Sequence, residues 1–513
     1  MIEGYANELS YAPGTVAEVC VSTDAPAFAV TVERWGATRE VAWQQAGVAG
    51  VLQTLPGDAD AGGCGWRPSV RIPTDGWASG FYLVTLTAQL DGDVSGDVGH
   101  AGFVVRGHGT QAAVLVLATN TWNAYNVWGG CSLYTGAKQV AFRRPWAPGT
   151  LVRPETERDD RKSRPVYTGE QPDAEGQIYE AFRNAHGYPG AMGSAGWFTH
   201  ERRFVEWAER AGFAFDYAVS GDLGTLDLAP YRAVVGVGHD EYWSAEGRDA
   251  VERFVAGGGN FVSLSGNTMF WQVRAEPSER GGTTMVCHKY SAPDSDPMTA
   301  RAPQRMTGMW ADPVVGRPEA NFLGAASMYG LYHRFGKATP RGVGGFVVYR
   351  PDHPLLADTG LQYGDVLGAG HGVVGYETVG CLLGYDDLRL PVAVPDPELP
   401  GGRLPPDVEV VAMVPASNLA VGEYPKSISA LDDQGDLEFV ADRVYGGGER
   451  ARARVRHGNA VMLTCRPAGR DGGTVVVVGS TDWVFGLSPG AGTGRADPQV
   501  EQVTANILRR YAD

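Results

Sequence analysis

Two hydrophobic rhythms divide this chain. Over residues 1 to 108, apolar and polar positions alternate with period two in Thr15–Ser22, Ala27–Arg34 and Gly80–Ala88, and clusters of Gly, Pro and Asp separate the runs. Such alternation puts every second side chain on one face of a strand. Several short strands of this kind predict an antiparallel sandwich of immunoglobulin type. It carries no recognisable chemistry, and its expected role is to shape or cover a neighbouring site.

From Gln111 the rhythm changes. Ala112–Ala118 is continuously apolar, as expected of a strand buried on both faces in a parallel sheet. His200–Gly212 has the 3.6-residue period of an amphipathic helix, with Phe204, Val205, Trp207 and Ala208 on its apolar stripe and Gly212 as its stop. Phe213–Ala218 and Tyr231–Gly238 read as strands, Ser244–Ala256 as a helix, and Phe261–Ser265 as the strand after it. This rhythm predicts a doubly wound α/β sheet. Residues 275 to 320 are expected as loops over its carboxyl edge. Residues 320 to 470 read as mixed, with short strands at Gly344–Tyr349 and Val408–Val414. A further buried strand, Gly473–Ser480, and a closing helix, Gln499–Tyr511, complete the pattern. The predicted division is therefore a sandwich at 1–108 and an α/β domain at 109–513, with a β-rich insertion at about 320–470. There is no internal repeat.

Composition narrows the class. The 513 residues are 43% hydrophobic and 20% charged, ordinary for a globular protein of more than one domain. A net charge of −16 argues against a nucleic-acid partner, which needs clustered Lys and Arg. No apolar run approaches the ~20 residues of a membrane span, and residues 1 to 30 lack the basic start and apolar core of a signal peptide. A cytoplasmic location is expected, with no membrane partner. The six cysteines form no Cys-x-x-Cys pair, so free thiols are expected and a thiolate zinc site is not.

The candidate chemistry lies where strands end, which is where open α/β sheets bind ligands. His239-Asp-Glu-Tyr-Trp-Ser244 follows the run ending at Gly238. A helix cap at Asp240 or Ser244 accounts for one of these polar groups but not for five in succession. Thr119–Thr135, after the first buried strand, holds Tyr125, Tyr134 and three asparagines. Ser265–Arg274 offers Asn267, and Val373–Glu377 adds a carboxylate. Lys289 sits in an intervening loop, where such a side chain is ordinarily solvated. Phenolates and carboxylates are hard oxygen ligands suited to a hard cation such as ferric iron. That ion polarises an amide carbonyl and turns bound water into hydroxide near neutral pH. His239, two residues before Glu241 and on the same side of an extended chain, suits orienting a metal ligand through a hydrogen bond or shuttling a proton.

Trp122–Tyr134, Gly238–Ser244 and Ser265–Arg274 resemble the large (β) subunit of N,N-dimethylformamidase. The resemblance covers residues 112 to about 390 with specific motifs, and the last strand and helix more loosely. It implies a glutamine-amidotransferase-like α/β core and a mononuclear ferric iron held by two tyrosines and a glutamate. The implied reaction is hydrolysis of a small amide or N-substituted formamide, with metal-bound hydroxide attacking the carbonyl. Carried over by position, the metal ligands are Tyr125, Tyr134 and Glu241, with Tyr167 competing for the second phenolate. His239, Asn267, Glu377 and Lys289 fall in catalytic positions. The chain is expected to lack the additional lectin-like domain of the characterised large subunit. Homo-oligomerisation and the need for a small subunit stay open.

Two other readings compete. A metal-free hydrolase would use Ser265 as nucleophile and His239 as base, although Leu-Ser-Gly-Asn is not Gly-x-Ser-x-Gly. A non-catalytic module would bind a sugar or a protein on Trp122, Trp128, Trp243 and Trp271.

Overall fold

A computed structural model describes residues 1–90, 93–154, 181–332, 344–417, 431–489 and 494–513. The alternating N-terminal segments form two sheets. Ile2–Ala6, Val16–Thr23 and Pro68–Pro73 make a three-stranded antiparallel sheet. Ser10–Tyr11, Asp93–Val105, Gly80–Leu90, Ala27–Trp35 and Arg39–Ala49 make a five-stranded one, in that spatial order. The inward positions of both, among them Val19, Ile72, Val30, Val84 and Phe103, share one core, so the two sheets pack as a sandwich.

The buried apolar runs meet in an eleven-stranded sheet, whose main path is numbered here in chain order: β1 (Ala113–Leu117), β2 (Asp216–Val219), β3 (Ala233–His239), β4 (Asn260–Gly266), β5 (Ala326–Tyr332), β6 (Glu377–Gly380), β7 (Glu409–Ser417), β8 (His457–Cys465) and β9 (Val475–Val477), with Phe346–Val348 and Val366–Leu367 branching from Glu409–Ser417. Their spatial order is β2-β1-β3-β4-β9-β8-β7-β5-β6. The first five in that order run parallel, and the rest continue antiparallel. Helices cover both faces of the parallel half. Leu115, Leu117, Val235 and Val262 pack with helices α2 (Glu201–Arg210) and α4 (Pro498–Tyr511). Val114, Val116, Val234 and Phe261 pack with α3 (Ala245–Ala256). Burial on both sides is the reason these strands read as unbroken apolar runs.

Three expectations change. The segment after β1, read as a loop, opens with a helix, α1 (Thr119–Tyr125), whose residues are all buried. The material expected as a β-rich insertion extends the central sheet, because its strands find the open edge of β9; it also includes helices Leu431–Tyr445 and Gly448–Arg456. The loops expected at 275 to 320 contain strands. Trp271–Pro277 and Thr283–Val286 join Tyr242–Ser244 and Gln139–Ala141 in a small sheet beside the carboxyl edge.

All six cysteines are unpaired, and five are buried. Among the described residues, no helix is long and apolar enough to cross a membrane.

Candidate active site

The parallel strand order, β2-β1-β3-β4-β9, changes direction between β1 and β3. In such sheets the crevice at the carboxyl ends of those two strands binds ligands. Here β1 delivers α1, with Tyr125 as its last residue, and β3 delivers His239. Turns after α1 bring Tyr134 back so that the two phenol rings stack, 4.2 Å apart and 19° from parallel.

The end of β3 is bent by Gly238 (φ 77°), where a Cβ would stand 2.3 Å from that of His200. His239 lies 2.8 Å from the Ser194 carbonyl through Nδ1, which must therefore carry a hydrogen. Nε2 faces two carboxylates, Glu377 Oε2 at 2.8 Å and Glu241 Oε2 at 3.3 Å. The backbone N–H of Glu241 donates to Thr121 Oγ1 at 3.0 Å, which anchors the residue to α1.

Glu241 is the hub. Trp271 Nε1 donates to its Oε1 at 2.8 Å. Tyr134 reaches both carboxylate oxygens, at 3.0 and 2.9 Å, and Tyr125 reaches Oε2 at 3.3 Å. Glu377, at the start of β6, receives Asn267 Nδ2 at 2.5 Å. That approach depends on Gly266, where a Cβ would come within 2.3 Å of the Glu377 carbonyl. Four non-glycine residues around the site, Asn267, Met269, Lys289 and Tyr376, have φ between 37° and 60°. Strained backbone of this kind gathers where surrounding structure forces side chains into functional positions.

The electrostatics follow from burial. His239, Glu241, Glu377, Asn267 and Lys289 are all buried, whereas Tyr134 retains 37% exposure with its hydroxyl held in the cluster. Burial alone would push the His239 pKa down, but Glu377 and Glu241 outweigh it and hold the imidazolium well above the ordinary range. Burial, then the charge on Glu241, raises the Tyr125 and Tyr134 phenols well above theirs. Both phenols are thus neutral donors to Glu241, and ionising either needs a cation alongside.

All seven residues singled out from the sequence, Tyr125, Tyr134, His239, Glu241, Asn267, Lys289 and Glu377, lie in or beside this cluster. Tyr167 lies outside the described residues. Lys289 is buried rather than solvated: its Nζ stands 3.3 Å from the Tyr134 ring centroid and 5.1 Å from that of Trp271. Ser244 does cap α3, accepting from Gly247 N–H. Sequence reasoning missed Tyr242, Thr121 and Ser194 as partners of the cluster. Tyr242 stands inside the same motif, but only the small sheet turns its hydroxyl onto Tyr134.

The competing readings find no such geometry. Ser265 Oγ bonds Ser263 and Thr268, not His239. Trp122, Trp243 and Trp271 are buried, Trp128 is half-buried against Trp66, and each indole N–H donates to a carboxylate: Trp122 to Glu201, Trp128 to Glu3, Trp243 to Asp240 and Trp271 to Glu241.

The donor set suits a hard cation. His239, Glu241 and Glu377 present ligand atoms within 4.8 Å of one another. The Tyr125 and Tyr134 oxygens stand 3.3 and 2.9 Å from Glu241 Oε2. Oxygen ligands held at about 2 Å from one hard ion stand roughly 2.8–3.3 Å apart.

A doubly wound sheet with buried carboxylates, an imidazole and phenols converging at its switch point has the layout of a ligand-processing α/β protein. The chain belongs to the N,N-dimethylformamidase beta subunit-like, C-terminal family, whose model matches residues 29–497. It is similar to the N,N-dimethylformamidase beta subunits of an Alcaligenes species and of Paracoccus aminophilus, at 33% identity over 78 residues in each. Each match covers 15% of this chain and 10% of the relative.

Proposed function

We propose that this chain is an amidohydrolase that cleaves the C–N bond of a small amide or N-substituted formamide, with ferric iron held by Tyr125, Tyr134 and Glu241. The observation that carries the reading is the convergence of two phenol hydroxyls on Glu241, whose Oε2 also faces His239. Between the two possible ligand sets, chemistry favours the phenols. Glu377 Oε2 is already engaged by Asn267 and His239, whereas the protons on Tyr125 and Tyr134 are displaceable by a cation. Iron so held supplies Lewis acidity, polarising a carbonyl and acidifying water.

The remaining steps fall to the chain itself. Glu377 takes a proton from the attacking water, and His239, bearing hydrogen at Nε2, gives one to the departing amine nitrogen. Asn267 holds the Glu377 carboxylate in place through Nδ2. Lys289 puts a positive charge over the aromatic wall, where it favours charge developing on the carbonyl oxygen. The enclosed cluster and its aromatic surround favour a small substrate. The family relatives carry beta-subunit names, and assembly with a second kind of chain is proposed here on that ground alone.

The test is metal analysis with absorption spectroscopy on iron-replete protein, followed by a screen of formamide, N-methylated formamides and larger N-acyl amines for amine release. Stoichiometric iron, a visible phenolate-to-iron band and amine release from the small formamides are expected. Iron-replete conditions that yield metal-free protein, or amine release that ignores iron, would overturn the reading.

A further inference from the structure

The geometry points to Tyr242 as a positioning residue that makes the two phenols of the site unequal, an inference that rests on the ligand set proposed above. Tyr242 is 1% exposed and donates its hydroxyl hydrogen to Tyr134 Oη at 2.8 Å. The direction of that bond is fixed by its neighbours: Tyr134 spends its own hydrogen on Glu241, so its oxygen accepts from Tyr242. Tyr125 Oη has its hydrogen bond to Glu241 and, among the described residues, receives no equivalent donor.

Tyr242 is held in this pose from both sides. Its N–H lies 3.4 Å from Thr121 Oγ1, its carbonyl accepts from Asn120 Nδ2 at 3.2 Å, and its strand pairs with Trp271–Pro277. It is therefore tied to α1, which carries Tyr125, and to the small sheet, which carries Trp271.

Lys289 acts in the same direction. Its Nζ is 3.3 Å from the Tyr134 ring centroid, where a cation draws on the ring's electron density. A hydrogen bond to an ionised oxygen is charge-assisted, and it is stronger in a buried setting than in water. With a donor at its oxygen and a cation on its face, the Tyr134 phenolate holds its electrons more tightly than the Tyr125 phenolate does. Tyr134 is thus the weaker electron donor to a bound ferric ion and Tyr125 the stronger.

Spectroscopy of the iron-loaded full chain tests this. In Y242F, which keeps the ring and removes only the hydroxyl, iron stays bound and the phenolate-to-iron band moves to longer wavelength. In a Y134F background the same Y242F change leaves the band where it is, because the remaining phenolate never had that donor. Resonance Raman spectra of the wild-type chain in D2O show one of two phenolate C–O stretches shifted, and Y242F loses that sensitivity. An unmoved band in iron-bound Y242F, or an equal shift in the Y134F background, overturns the inference. Loss of iron in Y242F also overturns it, because Tyr242 would then be a ligand itself. Should Y242F fail to fold, the wild-type D2O measurement decides alone, and two unshifted modes overturn the proposal. Iron-bound wild-type protein without any phenolate band removes the ligand set, and this inference with it, which is distinct from a band that ignores Tyr242.

Discussion

Glu241 is not the only carboxylate in this fold that carries two phenols. Asp396 accepts from Tyr329 at 2.6 Å and from Tyr445 at 2.7 Å. The difference lies in what balances the charge. Asp396 is paired with Arg454, whose guanidinium also lies over the Tyr445 ring, 4.8 Å from its centroid. Burial pushes the Asp396 carboxyl up, but the tyrosine hydroxyls and Arg454 more than compensate and hold it below its ordinary value. Glu241 instead meets an imidazole that it shares with a second carboxylate, Glu377. A third buried carboxylate, Glu201, accepts from Trp122 and the Ala118 N–H and, among the described residues, has no hydrogen-bond partner at Oε2. Burial raises its pKa to about 7. The same residue types therefore serve as a closed ion pair, a carboxyl whose pKa burial raises or a candidate metal hub, according to the cation supplied.

The sharpest test of that contrast replaces one oxygen at each hub. E241Q is expected to lose bound iron and about 10⁴-fold in amide hydrolysis, several kcal/mol of transition-state stabilisation, as read by metal analysis and amine release. D396N keeps both iron and turnover. Equal loss from the two variants would erase the distinction between the hubs.

E377Q removes the proposed proton acceptor without touching a proposed ligand. Hydrolysis should fall about 10³-fold while the iron content and the phenolate band persist. Disappearance of the iron would instead place Glu377 among the ligands.

Glu201 sharpens the comparison through pH. Its folded-state pKa lies above its unfolded value of 4.5, so the native state pays for ionisation as pH rises from about 4.5 through about 7. E201Q should therefore be more favourable at pH 8 than at pH 4, by up to about 3 kcal/mol at 1.36 kcal/mol per pKa unit. Chemical denaturation at the two pH values measures this, and a pH-independent effect would contradict it.

The smallest expected effect is at the closed pair. R454M leaves Asp396 with its phenols and no guanidinium, which should cost roughly 1–2 kcal/mol in denaturant unfolding with iron content unchanged. No change in stability would mean that the phenols alone satisfy Asp396.

Local pattern made much of this protein legible in advance. The parallel strands were readable because burial on both faces leaves no polar positions, and the sandwich strands because burial on one face leaves every second position polar. His239 and Glu241 stood out because five polar or aromatic groups followed a buried strand within one short segment. The helix Thr119–Tyr125 was hidden because its residues are buried all round, which removes the amphipathic stripe that marks a surface helix. The small sheet was hidden because Trp271–Pro277 and Thr283–Val286 are short and flanked by Pro and Gly.

What the residue order determined by itself was the set of elements and the chemical character of each strand end, since both depend on neighbours a few positions apart. Which ends meet was decided only in three dimensions. Asn267 and Glu377 are 110 residues apart and touch because β6 begins where β4 ends, with Gly266 permitting the approach. Tyr242 became a partner of Tyr134, across 108 residues, only once two sheets were packed together. Contacts at that separation depend on the path of the intervening chain, which no local periodicity encodes.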